Sequence, residues 1–124
     1  MRGDLKVAIV GAGLMGRWHA HYAVRAGAQI AAIVDHDPDS SRPLRSRYPS
    51  ARFFPDLRQC LEGVPFQIAH ICTGTGSHSA LASEALRGDK HVLIEKPVAT
   101  SVEETRRLIQ IARRAGLRLC PAHQ

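Results

Sequence analysis

Long hydrophobic runs are missing from this chain. No apolar stretch approaches the roughly 20 residues a bilayer span requires, so neither a transmembrane helix nor a membrane partner is expected. Aromatic side chains are few, with one Trp, two Tyr and three Phe among 124 residues, too few for a platform on which single-stranded bases stack. The excess of 17 basic over 11 acidic side chains, a formal +6, could attract anions. The positive charges are dispersed, however, with pairs at Arg106-Arg107 and Arg113-Arg114, so nucleic acid is not an expected partner. Cysteine is sparse and odd in number: Cys60, Cys72 and Cys120, with no Cys-x-x-Cys spacing. That excludes a disulfide framework and a zinc knuckle, and no metal site is expected. The cysteines read as buried free thiols in a reducing cytoplasm. Met1-Arg2-Gly3-Asp4 runs straight into Leu5–Val10, too short an apolar stretch for a signal peptide. There is no internal repeat, low-complexity tract or linker. The length fits one domain, residues 1–124, large enough to fold without staples.

What is present is a rhythm. Leu5–Val10 is a β-branched run ending at Gly11, the pattern of a strand buried on both faces. Leu14, Trp18 and Tyr22 recur every fourth residue, with Met15 and Ala23 beside them, as a helix stripe that Gly27 would close. Gln29–Val34 is a second apolar strand. Pro43 should interrupt any long helix in Pro38–Pro49, leaving one short or broken helix. Ala51–Phe54, Phe66–Cys72, His91–Ile94 and Leu117–Cys120 continue the strands. Between them lie a helix capped by Asp56 and ended by Gly63, one over Ser77–Arg87, and one behind the capping box Ser101-x-x-Glu104, burying Leu108, Ile109 and Ala112. Alternating strands and helices with short connections predict an α/β fold: a doubly wound parallel sheet of about six strands with helices on both faces.

Gly11-Ala12-Gly13-Leu14-Met15-Gly16 is a G-x-G-x-x-G sequence lying directly between the first strand and the first helix, the context its mechanism needs. Gly11 permits the tight turn, Gly13 leaves room for a diphosphate, and Gly16 lets helix and strand approach. Free N–H groups at Leu14, Met15 and Gly16 then offer an anion site. Asp35 ends the second strand at about the offset where a carboxylate would accept hydrogen bonds from the adenosine ribose. The alternative is that Asp35 or Asp37 only caps the following helix. A carboxylate there favours NAD, because a 2′-phosphate would meet negative charge. His36 follows directly and joins Asp35 on the adenosine side, and Arg42 and Arg45 could swing toward a phosphate, so NADP stays open.

Ile71–His78 is a second strand-to-helix junction, on the same sheet edge as the glycine loop. Glu95-Lys96-Pro97, at the end of the buried strand Val92–Ile94, is hard to explain by packing. Lys96 would sit at the mouth of the site, where a lysine can bind or polarise an oxygen or shuttle a proton; otherwise it is a surface lysine paired with Glu95. His19 and His21 do not share a helix face, and His19 reads as a packing or hydrogen-bonding residue.

These segments together resemble the N-terminal domain of the Gfo/Idh/MocA oxidoreductases. The resemblance rests on Gly11–Ala20, on Ala32-Ile33-Val34-Asp35-His36-Asp37-Pro38, on Thr73–His78, and above all on Glu95-Lys96-Pro97. It implies hydride transfer between NAD or NADP and a sugar, polyol or related small molecule. It implies that Lys96 contacts the reacting hydroxyl or the nicotinamide ribose, that Glu95 helps position it, and that Pro97 follows a cis peptide bond. It also implies that Thr73, Gly74, Thr75 and His78 border the nicotinamide side. Relatives usually carry proline where this chain has Gly74, so a looser loop is expected here.

The resemblance further implies a C-terminal substrate domain beyond Cys120-Pro121-Ala122-His123-Gln124, absent from this chain, with Pro121 taking the chain out of the sheet. The surface meant for that domain should be partly apolar, so self-association or a covering partner is expected. The alternative function is a stand-alone dinucleotide sensor without its own catalysis, which leaves Glu95-Lys96-Pro97 without a task.

Overall fold

A computed structural model describes residues 5–122. The reading of Met1–Asp4 as lacking a signal segment, and the last two residues, lie outside that range. Six strands alternate with helices. They are β1 (Lys6–Val10), β2 (Gln29–Val34), β3 (Arg52–Phe54), β4 (Ile68–Ile71), β5 (His91–Glu95) and β6 (Leu119–Ala122). They form one sheet in the order β3-β2-β1-β4-β5-β6, every pair parallel. The order reverses between β1 and β4, and that switch point is where an open α/β sheet offers a crevice at the carboxyl ends of its strands.

The helices are α1 (Leu14–Arg25), α2 (Arg42–Arg47), α3 (Leu57–Gly63), α4 (His78–Arg87) and α5 (Val102–Ala115). Strand alternation splits the core in two. Ala8, Val10, Ala69, Ile71, Val92 and Ile94 face α3, α4 and α5, whose Leu57, Leu86 and Leu108 are almost fully buried against them. Val7, Ile9, Ile30 and Ile33 face the other way, toward Ala20 and Ala23 of α1 and Leu44 of α2. Each buried Val, Leu or Ile side chain among them contributes about 1.5–3 kcal/mol of transfer free energy. The two faces are unequally covered: α1 and α2 lie over β1, β2 and β3, while Leu93, Cys120 and Ala122 on the same face of β5 and β6 are left partly open.

Several ends follow their sequence signals. Asp56 Oδ1 accepts from Gln59 N–H at 2.8 Å, and Gly116 closes α5 in the left-handed conformation at φ 69°. Ser101 Oγ accepts from Glu104 N–H, but the Glu104 carboxylate reaches one residue further back, to Thr100 N–H and Oγ1, rather than to Ser101 itself.

Other expectations need correction. Leu14, Trp18 and Tyr22 are not the buried face of α1; they are 64%, 48% and 57% exposed. The buried face is Gly16, Ala20 and Ala23, small residues that bring the helix backbone close to the sheet. Ile109 of α5 is also exposed. Pro38–Pro49 does hold one short helix, α2, as expected, with Pro43 in its first turn, where its missing N–H has no partner to lose. β6 begins two residues later than expected, and Pro121 lies inside it, opposite Ile94. An edge strand tolerates a proline, because one side of its backbone faces no ladder. Cys120 is exposed, not buried, while Cys60 is buried and Cys72 half-buried.

Candidate dinucleotide-binding site

The site is built at the carboxyl ends of β1, β2, β4 and β5. Gly11 adopts φ 98°, and a Cβ there would lie 2.8 Å from the backbone of Cys72 and Thr73. The β1 turn therefore presses directly against the β4 turn, which only glycine permits. A Cβ on Gly16 would collide with the Gly11 carbonyl, so Gly16 sets the close approach of α1 to that turn. Gly13 is the contrast: a Cβ there would meet nothing within 4 Å. It caps α1 without any side-chain bond, and no acidic residue occupies the first turn. The first N–H groups of α1 thus have neither an intrahelical partner nor a competing carboxylate, beside open space. That is a cradle of the right kind for a diphosphate.

Asp35 stands across this turn. Its Oδ2 accepts from Ala12 N–H and its Oδ1 from Asp37 N–H, each at 2.9 Å. The alternative role as cap falls to Asp37 rather than Asp35: Asp37 Oδ1 accepts from Asp39 N–H at 2.9 Å and Ser40 N–H at 3.4 Å in the turn that leads into α2. A groove of about 680 Å³ runs from Asp35, His36 and Asp37 past Gly11, Ala12 and Gly13 to Cys72, Thr73 and Gly74. The His36 ring is fully out in solvent, 3.8 Å from Asp35 Oδ1. Arg42 and Arg45, expected to be free to swing toward a phosphate, are engaged elsewhere. Arg42 Nη2 donates to Asp39 at 2.7 Å, while Arg45 Nη1 donates to Pro38 O at 3.3 Å and its guanidinium lies over the Phe53 ring.

The loop after β4 is held from within. Ser77 Oγ donates to Thr73 Oγ1 at 2.7 Å, and a short 3-10 turn over Thr75–Ser77 leads into α4. His78 is 1% exposed. Its Nε2 lies 2.8 Å from Thr73 O and its Nδ1 2.8 Å from Pro97 O, so the ring stands between this loop and the Glu95-Lys96-Pro97 turn; a neutral ring donates to one of these carbonyls, an imidazolium to both. The side chain of His78, expected beside the nicotinamide half, is almost fully buried against these two carbonyls. Gly74 takes φ −63° and ψ 152° with free space around it, a conformation open to proline, and the Ser77 and His78 bonds limit the looseness expected of the loop.

The side chains of Leu14 and Met15 do not line the groove. Leu14 packs toward Pro43 and Tyr48, and Met15 faces a second pocket of about 580 Å³ on the α1 side of the sheet. That pocket is lined by Trp18, His19, Tyr22, His70, Leu93 and Glu95, among others. Lys96 is exposed at the end of β5, after Glu95, and the Lys96–Pro97 bond is cis. Among the described residues no ion pair joins Lys96 to Glu95; the Glu95 carboxylate instead lies 3.5 Å from His19. His70 is the residue sequence reasoning missed. It sits in an apolar strand, buried, and its burial with His19 beside it pushes its pKa down to about 4. Burial pushes the Cys60 thiol up to about 12, and burial with the nearby Glu95 charge raises that of Cys72 too, so neither is a nucleophile.

An all-parallel sheet with a phosphate-sized cradle at its switch point and an acidic residue ending β2 defines a dinucleotide-binding domain. The family model for oxidoreductases with an NAD-binding Rossmann fold (Gfo/Idh/MocA) matches residues 5–123, and this chain belongs to that family. It is 31% identical over 108 residues to an inositol 2-dehydrogenase/D-chiro-inositol 3-dehydrogenase of Lacticaseibacillus casei, covering 85% of this chain and 31% of that protein. It is 30% identical over 114 residues to D-glucoside 3-dehydrogenase of Escherichia coli K12, covering 90% of this chain and 32% of that protein. The WlbA dehydrogenase of Bordetella pertussis, solved with NADH and UDP-GlcNAcA, superposes with a TM-score of 0.89 at 27% identity, over 94% of this chain and 35% of that one. The chain thus spans about a third of the length of the relatives it matches.

Proposed function

We propose that this chain is the cofactor-binding part of a dehydrogenase that moves hydride between NAD and a sugar, polyol or similar hydroxy or carbonyl compound. The observation that carries the reading is the groove from Asp35 across the open space at Gly13 to Thr73, with Glu95 and Lys96 ending the neighbouring strand. In this reading the backbone N–H groups of Leu14, Met15 and Gly16, over the turn at Gly11 and Gly13, hold the diphosphate. Asp35 and His36 take the adenosine ribose. Thr73, Gly74 and Thr75 border the nicotinamide half, with His78 bracing them, and Glu95 and Lys96 stand at its far end. NAD supplies the hydride chemistry; the protein supplies position and charge. Lys96 is the catalytic residue, binding the reacting oxygen as a cation or exchanging its proton. The engagement of Arg42 and Arg45 away from the groove supports NAD over NADP.

Relatives that are about three times longer support the further proposal that residues 1–124 form one domain and that a separate domain brings the substrate pocket. The open face of β5 and β6 beside Trp18 and Tyr22 supports association through that side, with a second copy or with the substrate domain. The free thiols support a cytoplasmic setting.

The test is titration of the purified chain with NADH and NADPH. Saturable NADH binding is expected, weaker NADPH binding beside it, and loss of both in Gly13→Glu, whose carboxylate would occupy the diphosphate position. Absence of saturable NADH binding by the folded wild-type chain overturns the proposal.

A further inference from the structure

At the foot of the second pocket three ionisable side chains from three elements meet. His19 comes from α1, His70 from β4 and Glu95 from β5. His70 Nδ1 lies 3.1 Å from His19 Nδ1, with the rings at 90°, and His19 Nε2 lies 3.5 Å from Glu95 Oε2. Among the described residues Glu95 Oε2 is buried and has no hydrogen-bond partner, and the His19 and Glu95 side chains are only 8% and 12% exposed. A buried carboxylate oxygen without a donor is costly. The donor placed to relieve it is His19 Nε2.

We propose that His19 is a positioning residue for the nicotinamide end of the site: His70 holds it in the Nε2–H tautomer, and it fixes the Glu95 carboxylate and with it the strand end from which Lys96 leaves the sheet. The inference rests on the cofactor reading above and deepens it.

The proton count carries the argument. His70 is neutral at pH 7, so it has one ring proton. Only one proton can lie between the two Nδ1 atoms. If neutral His19 supplied it, His19 Nε2 would turn a lone pair toward the carboxylate, and Oε2 would stay without a donor. If His70 supplies it, the remaining His19 proton is on Nε2 and points at Oε2. Of the two neutral arrangements only the second turns an N–H toward Oε2; an imidazolium at His19 would do the same, so in either form Nε2 is the donor that faces Glu95 at 3.5 Å. The partner of one ring nitrogen thus sets the work of the other, as in histidines oriented by an outer hydrogen bond. Glu95 is the first residue of the Glu95-Lys96-Pro97 turn, whose other side His78 meets at Pro97 O. The turn is therefore flanked by a histidine on each side of the sheet.

Two measurements on the full chain test this. Ring nitrogen-15 NMR reads the tautomer without any ligand: an N–H on Nε2 of His19 is expected in the wild type. A His19 Nε2 without a proton in the wild type overturns the proposal. The second measurement is the ratio of NADH affinity to ADP-ribose affinity, because ADP-ribose lacks the nicotinamide and is blind to Glu95. His19→Leu should lower that ratio about fivefold, the scale of coupling within one hydrogen-bond network, and His19→Gln, whose amide can still donate, should restore it. An unchanged ratio in His19→Leu overturns the proposal. If the wild-type chain binds ADP-ribose and NADH not at all, the cofactor reading fails instead, and the NMR result alone then decides the tautomer.

Discussion

Ala12 and Asp35 are 23 positions apart in sequence and joined by one hydrogen bond, with Ala12 N–H donating to Asp35 Oδ2 at 2.9 Å. The bond fastens the glycine turn after β1 to the end of β2, so the residue read as the ribose acceptor also holds the diphosphate loop in shape. Substitution should therefore act on both stability and affinity. Asp35→Ala should lower unfolding free energy by about 1–3 kcal/mol, the range for losing a charge-assisted bond to a part-buried N–H. It should also weaken NADH by about tenfold or more. Asp35→Ser can rebuild part of the loop bond while removing the charge, and should shift preference toward NADPH. Calorimetric titration with both cofactors, beside urea unfolding of each variant, separates the two effects. An unchanged NADH-to-NADPH ratio in Asp35→Ser removes Asp35 from ribose recognition.

Gly16 and Gly74 should respond to substitution with opposite signs. A Cβ at position 16 would strike the Gly11 carbonyl, and backbone cannot rotate away as a side chain can. Gly16→Ala should cost about 1–3 kcal/mol or more, the range for overpacking, and push α1 off the turn. Gly74 already holds φ −63° in open space, and its N–H makes no backbone hydrogen bond. Gly74→Pro should then stabilise by about 0.4–1 kcal/mol through the unfolded chain. A melting temperature that falls in Gly74→Pro would show that the loop needs its freedom.

Lys96 and Gly13 should differ in what they disturb. In an enzyme assembled with its substrate domain, Lys96→Ala should depress turnover far more than NADH affinity, because the side chain stands at the reacting end. Equal losses would make Lys96 a binding residue only. Gly13→Glu, at the diphosphate, should abolish affinity first.

The fold was legible where a strand is buried on both faces. β2 spans Gln29–Val34 as its apolar run implies, and the alternation of strands and helices implies the parallel sheet, though not the order of its strands. The groove was legible too, because glycine positions report backbone requirements that act locally. Side-chain direction was not. Leu14, Trp18 and Tyr22 look like a core stripe, yet α1 buries its small residues instead, because close approach to the sheet is worth more there than large side chains. β6 was misplaced because Pro121 argues against a strand unless the strand is known to lie at an edge. His70 was invisible for a different reason: its partner His19 is 51 residues away, and only the sheet register brings the two together.

That same His70 gives the protein an acid-sensitive element. Its folded pKa lies near 4, below the ordinary 6.5, because burial and then the His19 ring disfavour the imidazolium. Between those two values the unfolded chain binds a proton that the folded chain refuses, so stability rises with pH across the window and falls on acidification through it. The shift corresponds to about 3 kcal/mol at most. Unfolding by urea at pH 7, 6, 5 and 4 should show this decline in the wild type and a flatter profile in His70→Leu, whose side chain has no proton to gain. The thiol of Cys60 acts at the other extreme. Its pKa is raised from 9.0 to about 12, so its contribution is full below 9 and is lost as the pH climbs toward 12. A wild-type profile as flat as that of His70→Leu between pH 6.5 and 4 would mean that the strand opens to solvent there, and that the line from His70 to Glu95 is not closed in the folded state.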